Sequence, residues 1–423
     1  MISDFQPLRI LLFALGSAGD VHPLIGLGME LKRRGHEVFV ITNPVFRSQV
    51  EHAELSFRAL GTEEEFELTT NDPDLWHPLK AFPAVVKRAV HPSYAPILEI
   101  SRELHLAGKT ILVASSLAFG ARTARDLLEI PLVSIHLAPA PLPSVFRQPE
   151  IHGMPFGNAA PVFLKRLQWW LAGKVVDRQI TPELNRFRKN HGLAPAKNVL
   201  ADWWHSPDRV IALFPDWFAP AQPDWPKQLV QTGFPMFDGK GSKPIPPALT
   251  EFLDAGEPPV IFTPGSANSQ AAEFFAEAAE ALRLTGRRGV FISPYSDSIP
   301  ENLPPGVIHI PYVPFSEVLP RAAALVYHGG IGTCAQALRA GIPQLVQPLA
   351  HDQFDTLSRV RELGVGLGLV PSKFKRHAIA EKLHQLLDDP SYRNQARAIS
   401  SRFDSDNWLK ITCEAIESTN LTI

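Results

Sequence analysis

Short apolar runs alternate with longer amphipathic stretches along most of this chain, and the runs end in turns that carry glycine or proline. Leu8 to Leu15 reads as a first buried strand, Gly16-Ser17-Ala18-Gly19-Asp20-Val21-His22-Pro23 as the turn after it, and Leu24 to Arg34 as a helix. Gly35-His36 closes that helix and Glu37 to Thr42 is the next strand. Strand, helix and strand with short links form a βαβ unit, which requires a parallel sheet. Ile111–Ala114, Leu132–Ile135 and Val210–Phe214 continue the series, with a helix over Ala118–Leu128. A second series follows. It has helix Ala248–Ala255, strand Pro259–Thr263, helix Gln270–Thr285, strands Gly289–Ile292, Val307–Ile310 and Ala324–Tyr327, helix Cys334–Ala340 and strand Pro343–Val346.

Two such series predict an α/β protein with two doubly wound, Rossmann-like parallel-sheet domains facing one another. The expected boundaries are 1–236 for the first domain, 237–247 for a linker rich in Gly, Lys and Pro, 248–403 for the second domain, and 404–423 for a closing helical run. The stretch Ala160 to Asp177 patterns as a helix with Phe163, Leu164, Leu167, Trp170 and Leu171 on one face, expected to pack on the first core. A greasy lip for a lipid acceptor, or a membrane surface, is its other reading.

A chain of 423 residues with 45% hydrophobic content has room for two such cores. Its net charge of −2 gives no electrostatic case for a nucleic-acid partner. Two cysteines far apart, Cys334 and Cys413, suggest neither a disulfide framework nor a zinc site, and a reducing cytoplasm fits them. The first apolar run is too short for a signal peptide, and no segment approaches the roughly 18 apolar residues of a membrane span.

The candidate chemistry centres on Pro311 to Asp355. Strand Ala324–Tyr327 breaks into His328-Gly329-Gly330-Ile331-Gly332-Thr333 just before a helix. Such a turn leaves backbone N–H groups unpaired at the positive end of a helix dipole, which makes an anion site. Gly329, Gly330 and Gly332 let the backbone approach a phosphate, Thr333 adds a hydroxyl and His328 a ring N–H, so a diphosphate suits it. Neither a Walker A Lys nor a G-x-G-x-x-G fingerprint is present. After the next strand, His351-Asp352-Gln353 places a carboxylate beside an amide, which suits sugar hydroxyls. Gly265 and Ser266, after strand Pro259–Thr263, form a second anion-binding candidate.

On these residues the stretch resembles the donor signature of the family 1 nucleotide-sugar glycosyltransferases, which have the GT-B fold. The resemblance implies that His328 contacts the diphosphate, Gly332 and Thr333 bind it, and Asp352 and Gln353 hold the sugar. It also implies that Tyr312, with Val313 beside it, stacks on the base. Gln336 stands where plant-type members carry a ribose-binding glutamate, and Ile331-Gly332 where they carry Trp-Asn, a departure that leans towards a dTDP-sugar. Motifs along the chain, among them Leu75-Trp76, His205-Ser206-Pro207, Thr232-Gly-Phe-Pro235 and His351-Asp-Gln-Phe-Asp355, resemble the rhamnosyltransferase of bacterial rhamnolipid synthesis. That likeness implies transfer of L-rhamnose from dTDP-rhamnose to a hydroxyacyl lipid, with UDP-glucose the second donor and a sterol, polyketide or phenol the alternative acceptor.

For the first domain, Asp20 is the expected base, in a stretch that matches where family members carry a catalytic histidine or aspartate; an N-terminal helix cap is its other reading. His22 is the alternative base, and Ser17, His136 and Trp170 are the acceptor-side candidates. Asp72-Pro73-Asp74 lies in a Pro-rich loop and reads as a turn, so no metal ligand and no cofactor beyond the sugar nucleotide is expected. The expected reaction is a single, inverting displacement. A nucleotide-sugar 2-epimerase and a non-catalytic sugar-nucleotide sensor are the competing readings.

Overall fold

The computed structural model describes residues 6–239, 244–405 and 407–419. Residues 1–5, 240–243 in the expected linker, and 406 and 420–423 in the expected closing run lie outside the described residues.

Strands covered on both faces must be apolar on both faces, and the runs above become parallel strands for that reason. In the first unit β1 (Arg9–Phe13), β2 (Glu37–Thr42), β3 (Ser56–Ala59), β4 (Thr110–Ser115), β5 (Leu132–His136), β6 (Arg209–Ala212) and β7 (Leu229–Gln231) form one sheet in the order β3-β2-β1-β4-β5-β6-β7. In the second, β8 (Val260–Thr263), β9 (Gly289–Ile292), β10 (Val307–Ile310), β11 (Ala324–Tyr327), β12 (Gln344–Val346) and β13 (Gly366–Gly368) run in the order β10-β9-β8-β11-β12-β13. Every pairing in both sheets is parallel. These are two Rossmann-like α/β units.

Each sheet has its own core. Leu11, Phe13, Leu112 and Ala114 pack under helices His91–Leu104 and Gly120–Leu128. Those two helices approach so closely that a Cβ on Gly120 would lie 2.9 Å from the Cβ of Ile97. In the second unit Phe262, Phe274, Phe275 and Phe291 interlock, and Phe274 stacks on Phe374 with ring centres 5.0 Å apart. By contact, Met1–Leu75, Lys80–Pro235 and Asn407–Ile423 group as the first unit, and Trp76–Leu79 with Met236–Asp406 as the second.

Several elements depart from expectation. The first helix runs over Ala18–Arg33, six residues earlier than expected. Ser17 is its N-cap and the Asp20 carboxylate accepts from the Ser17 N–H at 2.8 Å, so the polar stretch nucleates the helix instead of delaying it. Pro23 forgoes a single backbone bond near the helix start. The edge strands β3 and β13 were not expected, since Ser-Phe-Arg-Ala and Gly-Leu-Gly carry no apolar run. The helix read over 160–177 extends over Val162–Asn190, and its apolar face is not packed: Phe163 is 67% exposed, Trp170 58% and Val175 60%. In its first half Lys165, Gln168 and Trp169 are the buried side, with polar ends that reach backbone carbonyls, and further on Ile180 and Leu184 pack into a hydrophobic cluster. Lys165 donates to Phe146 O, Gln168 to Phe156 O and the Trp169 indole to Ser144 O.

Candidate functional site

An open parallel sheet binds its ligands where the strand order reverses, beyond the carboxyl ends of the two central strands. In the second unit those strands are β8 and β11. The turns after them are Pro264-Gly265-Ser266 and His328-Gly329-Gly330, and they meet. The His328 ring lies over Gly265, where a Cβ would come within 2.8 Å of it, and over Gly330, where a Cβ would come within 2.5 Å. Gly265 and Gly329 both have φ of +96°, a region that disfavours side chains. Gly330 is the N-cap of helix Ile331–Ala340 and supplies no side-chain acceptor, so the first amides of the helix have no cap. The helix starts three residues earlier than the sequence pattern predicts, which puts Gly332 and Thr333 in its first turn; nothing lies within 4 Å of a Cβ built on Gly332. His328 is 91% buried, and its Nδ1 has no hydrogen-bond partner. Burial, then neighbouring His351, push its pKa down to about 4, so the ring is neutral at pH 7 and offers one N–H.

The turn after β12 closes around Gln353. Its side-chain oxygen accepts from Leu349 N at 2.7 Å and Ala350 N at 3.0 Å, which spends that oxygen on the loop and leaves the amide NH2 as the group suited to a ligand. Asp352, half-buried, is the N-cap of helix Gln353–Glu362, and His351 before it has φ of +57°. Strain of that kind in a non-glycine residue gathers at ligand-binding turns. The Tyr312 hydroxyl donates to Asp238 O at 2.9 Å, Val313 beside it is buried, and Ser266 is exposed. Gln336 is 6% exposed and its amide donates to Met236 O at 3.3 Å, which weakens the expectation of a ribose contact there.

In the first unit the reversal lies between β1 and β4. Ser115 at the end of β4 accepts from Leu15 N at 3.1 Å, which ties that end to the turn holding Ser17 and Asp20. The Asp20 carboxylate folds back over Gly16, where a Cβ would stand 2.2 Å from its Oδ2. Asp20 therefore closes a capping box and lines the carboxyl edge of the sheet at the same time. Burial raises its pKa from 3.8 to about 6, against the two bonds from the Ser17 N–H and hydroxyl, which lower it.

Other candidates fall elsewhere. His22 Nε2 is 2.8 Å from Gln49 Oε1, so that ring nitrogen already has a partner. His136, expected to line an acceptor pocket, is fully buried: its Nδ1 is 2.9 Å from Ser116 Oγ and its Nε2 3.0 Å from His205 Nδ1. It is a core histidine, because the strand that carries it lies under cover on both faces. The aromatic groups near the Ser116 turn are ones the sequence reading passed over. The Trp204 indole donates to Ser116 O at 2.6 Å, with Phe119 at 5.2 Å and Phe82 at 6.5 Å between ring centres. A small pocket lined by Ser115, Ser116, Phe119, Trp203 and Trp204 opens there. The adjacent tryptophans were the available signal. Asp72 accepts from Asp74 N and from Arg88, a turn and an ion pair. Among the described residues no group of three or more His, Cys, Asp or Glu could hold a metal, and no helix is long and apolar enough to cross a membrane.

Comparison with known proteins agrees with this arrangement. Residues 10–93 match the glycosyltransferase family 28 N-terminal domain, and residues 291–407 match the erythromycin biosynthesis protein CIII-like C-terminal domain. The chain is 30% identical over 97% of its length, and 97% of the relative's, to the O-mycaminosyltylonolide 6-deoxyallosyltransferase of Streptomyces fradiae. It is 27% identical over 85% of each chain to the vancomycin aglycone glucosyltransferase of Amycolatopsis orientalis. Among solved structures, the glycotransferase of kitacinnamycin superposes with a TM-score of 0.74 at 19% identity, covering 98% of this chain and 100% of that one. The spinosyn rhamnosyltransferase SpnG complexed with thymidine diphosphate superposes with a TM-score of 0.68 at 19% identity, covering 97% and 100%. Neither curated relative is a rhamnolipid enzyme, so the narrower resemblance read from the sequence widens to the family as a whole. The chain belongs to the GT-B nucleotide-sugar glycosyltransferases of families 1 and 28.

Proposed function

We propose that the protein transfers a deoxyhexose, with L-rhamnose the favoured case, from its dTDP-sugar to a hydroxyl of an apolar polyketide-type aglycone, with inversion at the anomeric carbon. The observation that carries this reading is the uncapped start of helix Ile331–Ala340 at the β8/β11 reversal, with the neutral His328 beside it, its Nδ1 without a hydrogen-bond partner. The kinds of sugar and aglycone follow the 6-deoxyallosyl relative. Asp20 takes the acceptor proton as the acceptor oxygen attacks the anomeric carbon. The bond from that carbon to the phosphate oxygen breaks, and its electron pair leaves with the diphosphate. Amides of the helix start, His328, Thr333 and Ser266 stabilise the departing charge, so the step needs no metal. Asp352 and the Gln353 amide hold the sugar hydroxyls, and Tyr312 meets the base. A carboxyl raised to about 6 is a better base than an ordinary one and is still mostly ionised at pH 7 to 8.

A second reading, with a lipid acceptor at a membrane surface, is favoured by the exposed stripe Phe163, Leu167, Trp170, Leu171 and Val175. Thermal shifts with dTDP, UDP, GDP and their sugars, followed by product assays in EDTA on aglycone and hydroxyacyl acceptors, separate these readings. Stabilisation by dTDP and product formed on the aglycone in EDTA are expected. Stabilisation by none of the nucleotides would refute the donor site, and activity restored only by a divalent cation would refute the metal-free step.

A further inference from the structure

The four residues Trp76–Leu79 come from the first half of the chain yet group by contact with the second unit. Trp76 ends a short turn of 3-10 helix, Pro73–Trp76. Its indole stands edge-on to His328, 6.2 Å between ring centres, and edge-on to His351 at 5.9 Å. It therefore bridges the two turns assigned above to the diphosphate and to the sugar. Trp76 Nε1 is buried and has no hydrogen-bond partner, and the same holds for Nδ1 of His328 beside it. An indole nitrogen can only donate. A buried donor left unpaired is costly, and native structures rarely leave one so. Such a donor, beside an unpaired imidazole nitrogen that also donates in one tautomer and next to uncapped helix amides, calls for an acceptor that arrives from outside the protein.

We propose that Trp76 is a donor-site residue whose indole N–H bonds a phosphate oxygen of the nucleoside diphosphate, alongside His328. This rests on the donor site described under Proposed function. It assigns a binding role to a residue that lies more than 180 positions before Gly265 and Ser266, the first residues of that site in the second unit. The indole ring also covers the diphosphate turn from the side of His351, so the same residue both donates and excludes water.

Trp76→Phe keeps an aromatic ring at the position and removes the N–H together with the five-membered ring that carries it. Calorimetric titration with dTDP and with UDP, and in parallel with the corresponding nucleosides, tests the role; the partly exposed position leaves the variant folded. The expected result is a loss of about 10-fold or more in affinity for the nucleoside diphosphate that the unaltered protein binds, with nucleoside affinity unchanged. Equal diphosphate affinity in variant and parent would overturn the assignment and leave the donor site standing. A parallel loss for nucleoside and diphosphate with a lowered melting temperature would also overturn it, since that is the mark of a packing role. If the parent binds neither dTDP nor UDP, this inference and the donor site fall together.

Discussion

Replacing Asp20 by Asn separates what this residue contributes to folding from what it contributes to turnover. Its carboxyl is raised from 3.8 to about 6 chiefly by burial, so the folded state prefers the neutral form. The group therefore favours folding most below pH 3.8. That contribution declines between 3.8 and about 6 and is gone above 6, where the charge is carried in a desolvated place. The whole change is worth about 3 kcal/mol at the ordinary conversion of about 1.4 kcal/mol per pKa unit. Asn is neutral throughout, and its side-chain oxygen can still accept from the Ser17 N–H. Asp20→Asn should thus stabilise the first unit by about 2 kcal/mol at pH 8 and by almost nothing at pH 4. In a unit of this size that is about 4–8 °C in melting temperature, readable by calorimetry. Turnover at pH 8 should fall about 10²- to 10⁴-fold with nucleotide affinity unchanged. A variant that melts no higher than the parent at pH 8, or one with the same gain at both pH values, would refute the burial argument. Retained turnover would refute the role as base.

Gly265→Ala adds a Cβ at φ of +96° and 2.8 Å from the His328 ring, so it should weaken nucleoside diphosphate binding about 10-fold through displacement of that ring; unchanged affinity by calorimetry would show that the ring does not contact the ligand. Arg359→Ala takes from the Asp355 carboxylate the guanidinium that pairs with it at 2.7 Å, both side chains being about 95% buried. It should lower the stability of the second unit by about 3–5 kcal/mol in chemical denaturation, and a loss under 1 kcal/mol would mean that water or another group takes over the pairing.

Most strands are legible in the sequence because a parallel sheet covered on both faces demands runs such as Ile111–Ala114 and Ala324–Tyr327, which have few other uses. Two of the edge strands, Gly366–Gly368 and Ser56–Ala59, escape because each is held by a single neighbour and needs no apolar run. The glycine turns at Gly265 and Gly329–Gly330 stand out because little besides close backbone approach explains them. Side-chain partners do not. Nothing local distinguishes His136, buried against His205, from His328, buried without a partner on Nδ1, since what separates them lies in residues far away along the chain. Trp76 escapes for the same reason, its neighbours being more than 250 positions further on. The helix Val162–Asn190 is recognisably amphipathic, but period alone does not say whether an apolar face meets the core or solvent.

The last helix, Trp408–Glu417, lies against helix Ala18–Arg33 and β6. Glu417 accepts from Arg34 at 3.1 Å and from His36 Nε2 at 3.0 Å, while His36 Nδ1 accepts from Leu8 N. Three side chains thereby join the start of the first strand to helix Trp408–Glu417. During synthesis the first sheet must wait for helix Trp408–Glu417 to emerge before its outer layer is complete. A polypeptide clipped near residue 405 would retain both sheets yet leave a greasy bed open beneath the missing Trp408, Cys413 and Ile416, which invites aggregation.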